Sequence, residues 1–433
     1  MNFDTNTICQ CSDIDIYLLY FIELEEMVKL TILSREQYEI MHKQQFIKEL
    51  FIINSPEFKK KYVALNGVQY LKSNLIDNAT LDNYISLINY MYESINEFNY
   101  TKNAIKYASY NNHINILDWF AKICYFTDNS KSKSCVLLYE FKYDHSAIDW
   151  AAYNGHITVL DWFDKSIYEF KYSDYAIDVA SQSGFVTVLE WFDKSKYEFK
   201  YTNIAIDRAA RNGHILILEW FDKSMYEFEY SEFAINNAAD NGHISVLEWF
   251  DKSKYEFTCS NSAIDWASKN DHITILEWFD KSKYEFIYSN YAIDWASKFG
   301  LISVLEWFDK SKYEFRYTYN AIDWASQEGL ISVLEWFNKS KYEFKYTDYA
   351  IDKASRRSHI NVLNWFANSN YEFKYSSKAI DGASKRGHIN VLNWFVNSKY
   401  EFKYTRSAIK ASENKHIEVL EWFNKYEKNK LQQ

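Results

Sequence analysis

Along most of this chain, apolar and polar positions recur in one fixed order. Residues 173–201 read S-D-Y-A-I-D-V-A-S-Q-S-G-F-V-T-V-L-E-W-F-D-K-S-K-Y-E-F-K-Y. Ala176, Ile177 and Ala180 fall on one face of a first predicted helix, small enough for a close helix–helix approach. Val186, Val188, Leu189, Trp191 and Phe192 form a wider stripe on a second helix, predicted over 186–193. A stripe that wide leaves the helix no fully wet side, so neighbours must cover it. Tyr197, Phe199 and Tyr201 then alternate with charged residues, the period of a short extended segment.

The same order returns at a constant step. The Ala-Ile pair opens copies at Ala147, Ala176, Ala205, Ala234, Ala263, Ala292, Ala321, Ala350, Ala379 and Ala408, each 29 residues after the last. A fixed period in this range is the signature of stacked repeats, in which each copy buries its second face on its neighbours. Ser173 has the place of a helix N-cap, and Thr202, Ser231, Ser260, Ser289, Thr318, Thr347, Ser376 and Thr405 keep a hydroxyl there. Seven of the nine glycines share the position of Gly184, with Asn112, Asp271, Ser358 and Lys415 as stand-ins. That pattern predicts a left-handed turn between the two helices. The expected architecture is therefore all-α, a helix-turn-helix solenoid with at most short extended segments between copies.

Domain limits follow the repeat. Residues 1–71 lack it and read as a helical N-terminal cap. A worn copy occupies 72–100, eleven copies continue to 426, and 427–433 form a polar tail. An insertion near 122–137, serine-rich around Asn129–Ser134, is expected to be a surface loop.

The net charge of −10 argues against nucleic-acid binding, which leaves a basic footprint. Five cysteines show no paired framework, and no apolar run is long enough to span a membrane. Eight of the ten histidines occupy the turn after the glycine, but Phe185, Leu301 and Leu330 take the same place, which points to structure rather than metal or catalysis. The aspartate of each A-I-D recurs one copy apart, too far for neighbours to share a cation. No phosphate-loop, dinucleotide or zinc motif is present in the sequence, so no enzyme, cofactor or metal is expected.

The pattern A-I-D-W-A-S-x-x-G-H-I-x-V-L-E-W-F resembles an ankyrin repeat, most of all the short-period arrays of giant DNA viruses that infect amoebae. It departs from ankyrin in having A-I-D-W for T-P-L-H, no G-A-D-V-N hairpin signature and a period of 29 rather than 33. The resemblance implies a monomeric viral protein–protein interaction scaffold in the host cytoplasm, directed at host factors. The alternative is a ubiquitin-ligase substrate adaptor, with residues 1–71 as the docking module.

Within a constant frame, the varying positions are the informative ones. The residue after the inner-helix Asp is Trp266, Trp295 and Trp324 in three successive copies, then Lys353. Asp265 and Lys269 are expected to point away from Ile264 and Ala267, with Trp266 on the flank. The tryptophans either pack between neighbouring inner helices or form an aromatic groove floor. Beside them lies a basic stretch, Lys353, Arg356, Arg357, Lys385 and Arg386. Asp352–Arg356 and Asp381–Lys385 have i,i+4 spacing, which would partly neutralise it. The eight residues from Trp266 to Arg386 are the expected partner-binding set.

Overall fold

A computed structural model describes residues 98–125 and 140–431, with 414–415 excepted, and scattered positions between 76 and 92. Residues 1–71, the core of the insertion and the end of the tail lie outside the described residues. The chain divides into two units, Met1–Ala205 and Ile206–Gln433.

In the first unit, inner and outer helices alternate: α1 (Lys102–Tyr110), α2 (Ile114–Tyr125), α3 (Ser146–Tyr153), α4 (Ile157–Lys165), α5 (Tyr175–Ser183) and α6 (Val186–Lys194). Helix α7 (Asn203–Arg211) contains the division between the units. The second unit continues with α8 (Ile215–Lys223), α9 (Glu232–Asp240), α10 (Ile244–Lys252), α11 (Asn261–Lys269), α12 (Ile273–Lys281), α13 (Tyr291–Phe299) and α14 (Ile302–Lys310). It ends with α15 (Asn320–Gln327), α16 (Ile331–Lys339), α17 (Asp348–Arg356), α18 (Ile360–Asn368), α19 (Lys378–Ser384), α20 (Ile389–Val396), α21 (Arg406–Glu413) and α22 (Ile417–Leu431). Odd-numbered helices are the inner ones. The all-helical repeat solenoid stands as expected.

The core is built from the predicted stripes. In one copy, Ala292, Ile293 and Ala296 of α13 and Val304, Leu305 and Phe308 of α14 are all buried. Gly155, Gly184, Gly213, Gly242, Gly300, Gly329 and Gly387 all have positive φ, as do Asn83, Asn112, Asp271 and Ser358. A side chain at Gly329 would also stand 2.7 Å from His359 Nδ1 of the next copy, so two independent constraints select glycine there. The turn histidines reach back one copy to a backbone carbonyl, as in His272 Nε2 to Asp240 at 3.0 Å and His156 Nε2 to Tyr110 at 2.9 Å. They are structural.

The inner-helix aspartates do not point outward. Asp265 is only 5 % exposed, and its carboxylate accepts from the Ser289 N–H at 2.9 Å and the Ser289 hydroxyl at 2.5 Å. Asp149–Ser173, Asp178–Thr202, Asp207–Ser231, Asp294–Thr318, Asp323–Thr347 and Asp352–Ser376 repeat the bond pair. The same hydroxyl caps its own inner helix: Thr318 Oγ1 accepts from the Asn320 N–H at 3.1 Å. Each capping residue thus fixes one helix start and one joint between copies.

The alternating segments form no strand among the described residues. Their aromatic rings instead interleave with the next copy. Phe315 lies 4.0 Å from Tyr342 and 5.5 Å from Trp336, centroid to centroid, both rings stacked. Tyr342 donates to Asp309 at 2.9 Å, and Lys341 pairs with the same carboxylate at 3.1 Å. These partners hold Asp309 below the usual carboxylate range, the Lys341 bond first and the Tyr342 bond second. A period of two therefore records which rings turn inward, without a hydrogen-bonded ladder.

Candidate functional site

All eight residues singled out from the sequence lie in the second unit, on α11, α13, α15, α17 and α19 or just beyond their ends. Trp266, Trp295 and Trp324 are half-buried, which combines the two expected placements. The Lys269 ammonium lies 5.5 Å from the centre of the Trp295 ring, and Lys298 stands equally far from Trp324. Tyr291 stacks on Trp295 with centroids 5.1 Å apart. Each of these two indoles is therefore held by a cation from the preceding copy, an attraction worth about 0.5–1 kcal/mol where the site is wet.

The basic stretch differs from expectation in its pairings. Asp352 gives both oxygens to Ser376, and Asp381 gives both to Thr405, so neither neutralises the cation four residues on. Arg357, which has no acid at i,i+4 spacing, forms an ion pair with Glu328 of the preceding copy. Glu328 also accepts from Gln327, whose other amide atom takes the Tyr349 hydroxyl at 3.1 Å. The Arg356 stem runs against Gly382, where an added Cβ would stand 3.0 Å from Arg356 Cβ. Lys353 stands 4.5 Å from the Tyr349 ring centre. Lys385 and Arg386 are exposed and make no ion pair among the described residues.

Sequence reasoning passed over a second set of rings. Tyr291 is 52 % exposed, Tyr319 53 % and Tyr349 37 %, at or just before the first turn of α13, α15 and α17. Phe233 on α9 matches Tyr291 and Tyr349 in register, while Tyr319 stands one position earlier. The signal was an aromatic residue one or two positions ahead of Ala-Ile, where the helical pattern needs nothing buried.

Charge is also unevenly distributed. One acid is consumed in the buried joint of most copies, with Asn236 in its place in one, and others sit on the outer helices with lysine partners, such as Glu306 with Lys310 at 3.4 Å. The inner helices of the second unit and their turn-side ends carry Lys269, Lys298, Lys353, Arg356, Lys385 and Arg386, with the exposed acids Glu232 and Asp348 at the opposite ends and the half-buried Asp240 and Glu328 on the turn side. No cluster of three or more potential metal ligands occurs among the described residues, and no described helix is long and apolar enough to cross a membrane. In the first unit, a hollow of about 720 Å³ opens between α2 and α4, lined by Ile114, Asp118, Trp162 and Tyr168. It adjoins the insertion, most of which is outside the described residues.

No family model matches the chain, and no curated protein matches it by sequence. Among solved structures, it is similar to the pentatricopeptide repeat protein PPR10 in complex with an 18-nt psaJ RNA element. The TM-score is 0.39 at 8 % identity, over 95 % of this chain and 67 % of that one. It is also similar to PPR10 from maize, at a TM-score of 0.33 and 9 % identity, over 90 % and 61 %.

These neighbours are pentatricopeptide rather than ankyrin arrays, and the ankyrin resemblance is corrected accordingly. The viral interaction scaffold and the ligase adaptor, which depended on that resemblance, go with it. The exclusion of nucleic acid is corrected as well. It rested on the net charge of the whole chain, which counts aspartates such as Asp265 and Asp294 that are buried in the joints. Likeness at this level describes a helical repeat fold and carries no argument about what this chain binds.

Proposed function

We propose that the inner-helix face of the second unit binds single-stranded nucleic acid, without catalysis. One observation carries the reading. Three consecutive copies expose a tyrosine: Tyr291 on the helix that carries Lys298, Tyr319 just before α15, and Tyr349 on the helix that carries Lys353 and Arg356. Exposed rings on which bases stack, set beside cations that follow a phosphate backbone, are what sequence-tolerant single-strand binding requires. Helical repeats suit such a ligand because successive copies meet successive nucleotides. Trp266, Trp295 and Trp324 form the floor. Lys353, Arg356, Lys385 and Arg386 supply charge, and Arg357 joins them when it leaves Glu328.

The test is fluorescence anisotropy of a labelled, unstructured 12-nucleotide RNA titrated with the full chain at several salt concentrations. Saturable binding that weakens linearly in log salt is expected. An absence of binding at low salt, or equally tight binding of a charge-matched polyanion without bases, overturns the reading.

A further inference from the structure

The rings and the cations do not mix at random along the inner helices. Tyr291, Tyr319 and Tyr349 stand at the N-terminal ends of α13, α15 and α17. Lys269, Lys298, Arg356, Arg357, Lys385 and Arg386 stand at the opposite ends, next to the turns. Between Tyr291 and Lys298 lie seven residue steps of one helix, or about 10 Å at about 1.5 Å per residue. Two parallel tracks result, one aromatic and one basic, each advancing by about 8–10 Å from copy to copy, the usual separation of packed helices.

The two tracks have different causes. Cations at helix C-termini are favoured by the helix dipole, so the basic track alone would need no ligand. That account does not extend to the rings. Exposed tyrosines at this end of the helix contribute nothing to the buried core: Ser262 and Lys378 take the place of Tyr291 and Tyr349 in other copies without altering the helix pair, and Tyr319 stands one position earlier, ahead of Asn320. At one joint the tracks are linked, because Gln327 holds the Tyr349 hydroxyl while its neighbour Glu328 holds Arg357.

Resting on the reading above, we infer that the strand is bound with a fixed lateral orientation. Its bases lie over the N-terminal ends of α13, α15 and α17, and its phosphates lie over the turn-side ends of α17 and α19. The ligand class is then an unpaired strand, since a duplex keeps its bases stacked inside and offers the aromatic track nothing. Glu328 is the one acid in this part of the basic track. It sets the position where a phosphate must displace a carboxylate from Arg357.

The experiment compares two exposed double variants of the full chain, each checked for unchanged helical circular dichroism. Lys385→Ala with Arg386→Ala should flatten the salt dependence by about 0.7 in slope for each phosphate no longer neutralised, equally for oligo-A and oligo-U. Tyr291→Ala with Tyr319→Ala should weaken binding about ten-fold or more, preferentially for the better-stacking oligo-A, with the salt slope unchanged. Glu328→Gln should tighten binding to both. If the ring variant changes the slope, the cation variant changes base preference, or duplex competes as well as single strand, the orientation is wrong while the binding reading survives. If the unmodified chain binds no strand, the earlier reading itself falls.

Discussion

The carboxylate of Asp294 accepts from both the backbone N–H of Thr318, at 2.9 Å, and its hydroxyl, at 2.6 Å, and so clasps the start of the following copy. Replacing Asp294 by Ala should cost about 1–3 kcal/mol, because a buried donor pair is left unmet. Asp294→Asn should cost less than about 1 kcal/mol. The array already contains the experiment: Asn236 accepts from the Ser260 N–H at 3.0 Å and donates to its hydroxyl at 2.9 Å. Denaturant unfolding of both variants tests this, and equal losses would mean that charge, not hydrogen bonding, makes the joint.

Acidification should expose two opposed sets of groups. Burial raises the joint aspartates, including Asp149, Asp265, Asp294 and Asp352, so their contribution is complete below the usual carboxylate range and is lost as pH rises through the raised folded values. Burial lowers His156, His243, His359 and His388, so theirs is complete above about 6.5 and is lost as pH falls through the folded values. Replacing His243 and His359 by Leu, the residue already present at Leu301 and Leu330, removes part of the second set. The variant's melting temperature relative to the parent should climb from pH 7.5 to pH 5. Parallel curves would show that these rings do not titrate with folding.

Glycine at the turn answers two demands, and they separate by mutation. Gly329→Ala meets a φ of +78° and a ring atom of His359 at 2.7 Å, and should destabilise by about 2 kcal/mol. Ser358→Gly relieves a φ of +65° and should stabilise by about 1 kcal/mol. Thermal unfolding of the two variants gives the signs directly.

A row of inner-helix serines, including Ser268, Ser297, Ser326 and Ser355, is buried with hydroxyls that meet no partner. Ala152, Ala210 and Ala239 take the same place elsewhere and are equally buried. Ser326→Ala should therefore leave stability unchanged or raise it by up to about 1 kcal/mol. A clear loss on calorimetry would show that the hydroxyl has a use.

The period, the helix pair and the left-handed turn were legible because each follows from local chemistry within 29 residues: apolar spacing, a capping hydroxyl, a glycine. The joint was legible only in outline. Asp265 and Ser289 recur at a constant separation, but 100° per residue says nothing of a neighbour that covers the outward face. The Arg357–Glu328 pair escaped the sequence for the same reason, since Glu328 lies one full copy back. Net charge misled because it counts acids such as Asp265 and Asp294, which the joints bury. The exposed tyrosines were missed because they lie ahead of the buried Ala-Ile, outside the apolar stripe that marks the helix, and because Tyr319 is one position out of register with Tyr291 and Tyr349.

The joint made by Asp and Ser or Thr has a consequence for how such a chain changes over generations. Every junction of this kind uses the same two bonds between the same two places in the frame, so any copy fits behind any other. Loss or duplication of one whole copy by unequal crossover leaves each remaining seam intact. Length is then free to drift in steps of 29 residues while the tyrosines and cations along the inner helices diverge copy by copy.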